Sequence, residues 1–413
     1  MMKLNIDAER ITAELETLAG FSDTAAPAVT RIVFSPVDMQ ARAWLKQQCA
    51  AAGLDMREDA VGNTFARWQG SDPSLPAVAS GSHIDAIPHS GRYDGTVGVL
   101  GMLAAIRALQ EAGYRPRRSI ELIHFTSEEP TRFGLGCLGS RLLSGTIEPD
   151  RAASLKDSQG ATLDEVRMAA GFPGALGSVK LAPGFYHAFV ELHIEQGPQL
   201  ERTAVPLGVV TAIAAPATLN IEIEGEGGHA GAVLMPGRRD AFTAACEIGL
   251  AAEAAARSTG AIDSVATVGI CEVFPGAANS IPSRVRLTVD VRDIDEERRD
   301  SMLAGIWARC EAVAAARRIT VRCEVLNADA PAECSLLVTG ALQVACDELQ
   351  LPYAAMVSRA YHDSLFMSAI APAAMLFIPC RGGVSHRPDE FAEPADIARG
   401  VLVLAHALAR LAG

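Results

Sequence analysis

The sequence predicts an α/β protein that is interrupted by a smaller α+β domain. Strand-like apolar segments alternate with helix-like segments over the first half of the 413 residues, which is typical of an α/β sheet. Between 211 and 327 the pattern changes to the order βαββαβ, and after 327 the earlier pattern resumes. We therefore predict one main domain formed by 1–210 and 328–413, with an inserted ferredoxin-like domain at 211–327.

The main domain contains several segments with clear periodicity. Short apolar runs predict strands at 76–82, 119–126, 188–193 and 373–379. A helix is predicted from Asp94, as N-cap, to about Ala112. Another helix covers 394–412, where apolar residues repeat every three to four positions. The first twenty residues mix spaced apolar and acidic positions, which predicts an amphipathic helix and not a signal peptide.

The inserted segment has its own strands and helices. In chain order they are predicted as strand 218–224, helix 238–258, strands 264–274 and 284–292, helix 295–317 and strand 319–326. Strands of this kind alternate apolar and polar residues, as half-exposed strands do. The order matches a ferredoxin-like unit.

Composition excludes some classes of function. The chain has 36 basic and 49 acidic side chains and a formal charge of −13, which argues against nucleic acid as the main partner. No apolar run approaches the roughly 18 residues that span a bilayer, so no membrane partner is predicted. Nine cysteines occur without a CxxC pair, which favours reduced thiols in the cytoplasm over a disulfide scaffold.

Residues able to bind a metal follow the predicted strands. The motifs are Gly81–Asp85 with Tyr93–Gly95, Thr126–Glu129, Glu191–Gly197 and Gly382–His386. Open α/β sheets place their sites at the carboxyl ends of strands, so these motifs are expected to converge. Histidine, aspartate and glutamate without cysteine are ligands for hard to borderline divalent metals. The sequence therefore predicts a divalent metal site.

Two further features of these motifs extend this prediction: the adjacent glutamates and Asp85. Of the adjacent Glu128 and Glu129, one can bind metal while the other transfers protons, and metal-assisted hydrolysis requires both tasks. Asp85 can accept the ring proton of His83 and fix its tautomer. Taken singly, a glutamate pair is usually a solvated patch and a His-x-Asp motif occurs by chance. Their co-occurrence after several strands favours the metal site.

A series of motifs keeps its order from about Phe21 to Asp396: SGSHIDAIPHSGRYDGTVGVLG, TSEEPTRFGLGCLGS, HIEQGPQLE, GEGGHAG, FPGAANSIP, DVRD and FIPCRGGVSHRPDE. With these motifs the chain resembles the amidase/hydantoinase/carbamoylase family of amidohydrolases. The resemblance implies an aminopeptidase-like α/β catalytic domain with a dimetal centre. It also implies that the inserted ferredoxin-like domain serves as a dimerisation or lid domain, and that the protein is a homodimer.

The same resemblance assigns candidate roles motif by motif. It implies two divalent ions, zinc or manganese, per subunit. His83 and His193 would bind one ion, Glu129 and His386 the other, and Asp94 would bridge them. Glu128 would be the general base and acid.

The resemblance also implies residues that hold the substrate. His229 would stabilise the oxyanion across a dimer interface, while Gln196, Asn279 and Arg292 would bind the substrate, Arg292 through its carboxylate. Each has an ordinary alternative. Arg292 could form a surface ion pair with Asp293, Asn279 could serve a turn, and His229 could be a simple loop residue.

The segment Ser358–Ser364 bears on the identity of the substrate. Many carbamoylase and allantoate members have a Gly-Ala-Gly-His-Asp-like segment, whereas this chain has Tyr361 before His362. A tyrosine there would narrow the pocket and add a phenol donor, unless Tyr361 packs elsewhere. With PHSGRYDG and FSDTAAPAVTR, the segment most resembles the ureidoglycolate amidohydrolase branch.

We therefore predict a cytoplasmic enzyme that hydrolyses a small ureido carboxylic acid. The favoured substrate is ureidoglycolate, cleaved to glyoxylate, ammonia and carbon dioxide in allantoin (purine) catabolism, with Tyr361 and His362 in the substrate pocket. N-carbamoyl-L-amino-acid hydrolysis and allantoate hydrolysis at the same site are the alternatives. A non-catalytic relative of the fold would lack a ligand or the base, and neither is missing.

Overall fold

The chain forms two compact units in a computed structural model that describes residues 2–413. The larger unit comprises residues 2–211, Glu333–Met356 and His362–Gly413, and the inserted unit comprises Ala212–Ala332 and Val357–Tyr361. The prediction ended the insertion at 327. Strand pairing continues to Ala328, and the Tyr361 hydroxyl donates a hydrogen bond to Asp329 Oδ2 at 2.7 Å, so both residues belong to the inserted unit.

The elements follow one another in a mixed α/β order. The strands are β1 (Val29–Arg31), β2 (Asp55–Glu58), β3 (Thr64–Trp68), β4 (Ala77–His83), β5 (Ala86–Ser90), β6 (Ile120–Phe125), β7 (Tyr186–Ile194), β8 (Gly208–Ile213), β9 (Ala215–Glu224), β10 (Gly228–His229), β11 (Val265–Phe274), β12 (Ser280–Ile281), β13 (Arg284–Asp293), β14 (Thr320–Ala328), β15 (Ala332–Glu333), β16 (Ala354–Ser358) and β17 (Ala373–Ile378). The helices are α1 (Ala8–Ala19), α2 (Pro36–Ala51), α3 (Thr96–Glu111), α4 (Leu138–Ser144), α5 (Pro149–Ser154), α6 (Leu163–Ala169), α7 (Gln199–Thr203), α8 (Ala241–Ser258), α9 (Glu296–Arg317), α10 (Leu336–Leu349), α11 (Asp363–Met367) and α12 (Pro394–Ala412).

The main sheet has the strand order β15-β8-β17-β7-β4-β6-β3-β2, and β16 pairs with β8. Its centre is parallel, because β4 pairs in parallel with β6 and β7, and β7 with β17. Both faces of these strands are covered: Val78 packs in one apolar cluster and its neighbour Ala79 in another. Strands buried on both faces are nearly continuous apolar runs, which is why their positions were predictable from sequence.

The helix after β5 begins one residue later than predicted. Gly95, and not Asp94, is the N-cap of α3, and its φ is +67°. A Cβ at Gly95 would lie 2.4 Å from His83 Nε2, so only glycine permits this close approach. The prediction of Asp94 as the cap was wrong because the Asp94 side chain faces a histidine cluster instead of the helix.

The inserted unit has four long antiparallel strands in the order β11-β13-β9-β14. With α8 and α9 the chain order is βαββαβ, and both helices pack on one face of this sheet. The apolar core between sheet and helices includes Leu219, Ile248, Val289 and Ile306. Between residues 2 and 413, no helix combines the length and the apolar character needed to cross a bilayer.

Candidate metal centre

The carboxyl ends of the central parallel strands bring the candidate ligands together. His83 is the last residue of β4 and lies in register with Phe125, the last residue of β6. His193 is next to the end of β7 and lies in register with Phe377 of β17. Parallel strands end at the same edge of a sheet, so motifs far apart in sequence meet there.

The first cluster consists of His83, His193 and Asp94, all buried. Asp94 Oδ1 lies 3.5 Å from His83 Nε2 and 3.2 Å from His193 Nε2. The other ring nitrogens, Nδ1, lie 2.9 Å from the backbone carbonyl oxygens of Asp85 and Ile194. A carbonyl oxygen only accepts, so each Nδ1 carries a proton, and Nε2 is the ring nitrogen that faces the cluster.

The second cluster consists of Asp94, Glu129 and His386. His386 Nε2 lies 3.2 Å from Asp94 Oδ2 and 3.6 Å from Glu129 Oε1. The two carboxylate oxygens of Asp94 therefore face different clusters, one each. Asp94 lies between the two clusters, as a shared ligand would.

The donor set and spacing fit divalent cations. Ligand atoms that share one tetrahedral cation at roughly 2.0–2.2 Å lie about 3.4 Å apart. The four separations given above, 3.2 to 3.6 Å, are close to that value. Imidazole nitrogens and carboxylate oxygens without thiolates suit zinc or manganese.

The charged groups of the two clusters shift one another's pKa values. Burial alone would lower the pKa of His83, but the carboxylates of Glu128, Asp94 and Asp85 raise it well above the ordinary value. Burial alone would raise the pKa of Asp94, but hydrogen bonds with His193, His386 and His83 hold it well below its usual range. Burial, with help from Asp94, raises the pKa of Glu129 to about 7. Such a concentration of buried charge is typical of a functional site.

Glu128 lies beside the first cluster. Its Oε2 lies 3.6 Å from His83 Nε2, and its Oε1 accepts a weak hydrogen bond from Cys137 Sγ at 3.4 Å. The preceding residue, Ser127, has a φ of +56°. Burial raises the pKa of Glu128 well above its ordinary value, because loss of solvent disfavours the charged carboxylate.

The role predicted for Asp85 was wrong in one respect. Its carboxylate lies 3.8 Å from His83 Nδ1, beyond hydrogen-bond distance, whereas its backbone oxygen lies at 2.9 Å. The carboxylate instead accepts hydrogen bonds from the backbone N–H groups of Glu128 at 3.3 Å and Glu129 at 3.1 Å. Asp85 thus holds the turn that carries both glutamates.

Two predicted substrate residues lie in the larger unit next to the clusters. Gln196 has a φ of +55°, and its Nε2 donates to Asp94 Oδ2 at 2.7 Å. Its Oε1 is buried and has no hydrogen-bond partner within residues 2–413. The His362 ring is buried and packs edge-on against His193, with ring centroids 4.6 Å apart.

The remaining predicted residues lie in the inserted unit. His229 and Asn279 lie close together, because His229 pairs with Ser280 across β10 and β12 and Ala230 N donates to Asn279 O at 2.9 Å. His229 Nδ1 accepts backbone hydrogen bonds from Gly231 at 3.1 Å and Ala232 at 3.2 Å, so its neutral ring carries the proton on Nε2.

Arg292 is ordered by partners other than the one considered from sequence. It donates to Asp290 through Nε at 2.7 Å and Nη2 at 3.2 Å, and to the backbone oxygen of Arg359 through Nη1 at 3.1 Å. Asp293 pairs with Arg298 and Ser264 instead. The alternative of an Arg292–Asp293 ion pair was therefore wrong.

Sequence reasoning missed several buried acidic residues around the clusters. Glu191 accepts hydroxyl hydrogen bonds from Ser82 at 2.7 Å and Ser364 at 2.6 Å. Glu390 accepts from the backbone N–H groups of Tyr93 and Asp94. Glu191 begins the ELHIEQG motif and Glu390 ends the HRPDE motif. Their positions in the same motifs as candidate ligands could have indicated from sequence that they lie near the clusters.

A parallel α/β sheet with histidine and carboxylate clusters at its strand ends, and a raised-pKa glutamate beside them, defines a metallohydrolase. The profile of Peptidase family M20/M25/M40 matches residues 79–410, and the chain belongs to this family. Aminopeptidase PepT from Bacillus cereus, 16% identical, has the same fold with a TM-score of 0.68 over 99% of this chain and 100% of its own.

More similar proteins act outside peptide chemistry. A ureidoglycolate hydrolase from Oryza sativa subsp. japonica is 51% identical over 98% of this chain and 85% of its own length. An N-carbamoyl-L-amino acid amidohydrolase from Geobacillus stearothermophilus is 37% identical over 98% of this chain and 99% of its own. The crystal structure of AtUAH in complex with (S)-hydroxyglycine is 50% identical, with a TM-score of 0.92 over 99% of this chain and 98% of that one. AtUAH has also been crystallised with glyoxylate, with the same match.

Proposed function

We propose that this chain hydrolyses the ureido group of ureidoglycolate, giving glyoxylate, ammonia and carbon dioxide in allantoin catabolism. The observation that carries the proposal is the 51% identity to a ureidoglycolate hydrolase over nearly the whole chain, against 37% for an N-carbamoyl-L-amino acid amidohydrolase. The ligands bound to AtUAH, hydroxyglycine and glyoxylate, are the fragments that remain when the ureido carbon leaves ureidoglycolate. One water molecule balances the reaction.

The two clusters would hold two divalent ions. His83 and His193 would bind one, Glu129 and His386 the other, and Asp94 both, because its two oxygens face different clusters. Bound divalent ions polarise a carbonyl group and lower the pKa of water that attacks it.

Glu128 would transfer the protons of the reaction. It would take a proton from the attacking water and deliver it to the departing nitrogen. Its buried position supports this role, since burial raises the pKa of Glu128 and so favours the protonated form more than in an exposed glutamate. Asp85 would hold Glu128 in place through the backbone N–H groups of the turn.

Residues outside the clusters would bind and orient the substrate. Arg292 would bind the carboxylate of ureidoglycolate, since the guanidinium fork matches two carboxylate oxygens. His229 would donate its Nε2–H to the developing oxyanion, because two backbone N–H groups occupy Nδ1. Gln196 Oε1 can accept from a ureido N–H. We assign Asn279, Tyr361 and His362 to the substrate pocket as well.

The inserted unit would form a homodimer. Its edge strand β11 has ten residues, and Ile270 is 45% and Phe274 55% exposed. A long apolar edge strand is a surface on which another chain adds a strand. Ile270→Lys should therefore give monomers in light scattering, while Leu326→Lys on the opposite edge strand should leave the dimer intact. The reverse result would place the interface at β14.

A substrate panel tests the proposed reaction. Purified protein loaded with zinc or with manganese is given ureidoglycolate, allantoate and an N-carbamoyl-L-amino acid, and ammonia release is measured. We expect the highest kcat/KM with ureidoglycolate. A preference for either other substrate would overturn the substrate assignment and leave the metal site in place.

A further inference from the structure

Glu390 is a buried carboxylate with no role in the reaction described above. It lies between β17 and α12 and is 4% exposed. Its Oε1 accepts hydrogen bonds from the backbone N–H groups of Tyr93 at 2.8 Å and Asp94 at 3.1 Å. Its Oε2 lies 2.9 Å from Ser385 Oγ. One side chain therefore joins the loop that carries Asp94 to the loop that carries His386.

Ser385 extends this connection to the carboxylate of Asp94. Its Oγ lies 2.8 Å from Asp94 Oδ2, the same oxygen that lies 3.2 Å from His386 Nε2. His386 follows no strand directly, its φ is +58°, and its side chain is 48% exposed. His83 and His193, in contrast, belong to central strands. The position of His386 therefore depends on loop contacts such as these.

The space around Glu390 is also matched to its side chain. A Cβ at Gly91 would lie 2.3 Å from Glu390 Cβ and 2.4 Å from its Oε1. Gly91 thus leaves the room that Glu390 fills. Close packing and polar contacts together restrict the side chain to one position.

We propose that Glu390 is a positioning residue that holds Asp94 and His386 at the spacing that one of the two metal ions requires. It acts through these ligands and is not itself a ligand, because both of its oxygens are engaged by other groups. The inference rests on the proposed two-ion site. Loss of Glu390 should weaken the binding of the ion at the Asp94–Glu129–His386 cluster more than the binding of the ion at the other cluster.

Zinc binding tests this inference without reference to activity. Zn²⁺ is titrated into metal-free full-length protein in competition with a chelating indicator, and bound zinc per subunit is measured by mass spectrometry. We expect Glu390→Ala to bind one ion roughly 10–100-fold more weakly than wild type and to lose clearly less affinity for the other ion. Glu393→Ala is the matched control, because Glu393 is an exposed glutamate nearby that pairs with Arg381. It should bind zinc as the wild type does.

Two more variants separate geometry from charge. In Glu390→Gln the amide oxygen can still accept both backbone hydrogen bonds, and its NH2 group can donate to Ser385, so zinc binding should remain within a few-fold of wild type. Ser385→Ala should lower the affinity for the same ion as Glu390→Ala does. If Glu390→Ala does not fold, Ser385→Ala takes its place in the test.

The outcomes are distinct. Unchanged affinity for both ions in Glu390→Ala and Ser385→Ala, or an equal loss of both ions, overturns the inference, as does a Glu390→Gln variant as weak as Glu390→Ala. Fewer than two ions in the wild type overturns the proposed two-ion site and this inference with it, and that failure is visible before any substitution is made.

Discussion

Glu128→Gln tests the proposed proton transfer most directly. Glutamine has nearly the same shape as glutamate, and Glu128 is not one of the proposed metal ligands. We therefore expect metal content to be unchanged. Loss of a general acid–base group should lower kcat roughly 10²–10⁴-fold. That factor corresponds to about 3–5 kcal/mol of transition-state stabilisation.

The same substitution has a predicted sign for stability in the metal-free protein. Burial raises the pKa of Glu128 well above its ordinary value. A carboxyl group with a raised folded-state pKa contributes stability below its unfolded pKa and loses it as pH rises through the folded pKa. Glutamine does not ionise, so the metal-free variant should melt at the same or a higher temperature than wild type, and the difference should grow with pH.

The assay is ammonia release from ureidoglycolate, with bound metal measured by mass spectrometry on the same sample. Glu129→Gln is the matched variant, because it makes the same change one residue later in a candidate ligand, and it should lose metal together with activity. If Glu128→Gln loses metal and Glu129→Gln keeps it, the two roles are reversed. Wild-type kcat in Glu128→Gln would remove this residue from proton transfer.

Three further predictions concern substrate binding and assembly. Mixed His229→Ala and Glu128→Gln chains should regain activity in hybrid dimers, because one site then has both residues intact. Inactive mixtures after full subunit exchange would show that His229 acts in its own subunit or not at all. Arg292→Ala should raise KM for every carboxylate substrate, by a factor corresponding to about 2–5 kcal/mol, and leave KM for a neutral amide analogue unchanged. An equal rise in KM for the carboxylates and the neutral analogue would contradict carboxylate binding by Arg292. Tyr361→Gly should weaken ureidoglycolate hydrolysis and admit allantoate, whereas Tyr361→Phe, which removes only the hydroxyl bonded to Asp329, should keep the substrate ranking. An unchanged ranking in Tyr361→Gly would show that Tyr361 does not limit the pocket.

The secondary structure was largely predictable because burial and periodicity are local properties. The predicted strand 373–379 is β17, which ends one residue earlier at Ile378, and the predicted helix 394–412 is α12 with the same ends. The inserted βαββαβ order was also readable, since half-exposed strands alternate apolar and polar residues. The convergence of the candidate ligands followed from a general rule about strand ends and not from any single motif.

Other features depend on backbone direction and could not be predicted. Asp85 follows the end of β4, where the turn decides whether its carbonyl or its carboxylate faces His83. Glu390 contacts residues almost three hundred positions earlier in the chain, and no local pattern marks such a contact. Tyr361 and His362 are adjacent in sequence but belong to different units.

Main-chain carbonyl groups select the tautomers of His83 and His193, because each accepts a hydrogen bond from Nδ1–H. Main-chain atoms persist through every substitution, so no single change of side chain at Asp85 or Ile194 removes the acceptor that selects the tautomer. Relatives of this chain can therefore diverge at these two positions without changing which ring nitrogen faces the cluster. Substitution of Asp85 should then alter the placement of the Glu128–Glu129 turn and the pKa of His83, but not the tautomer of His83.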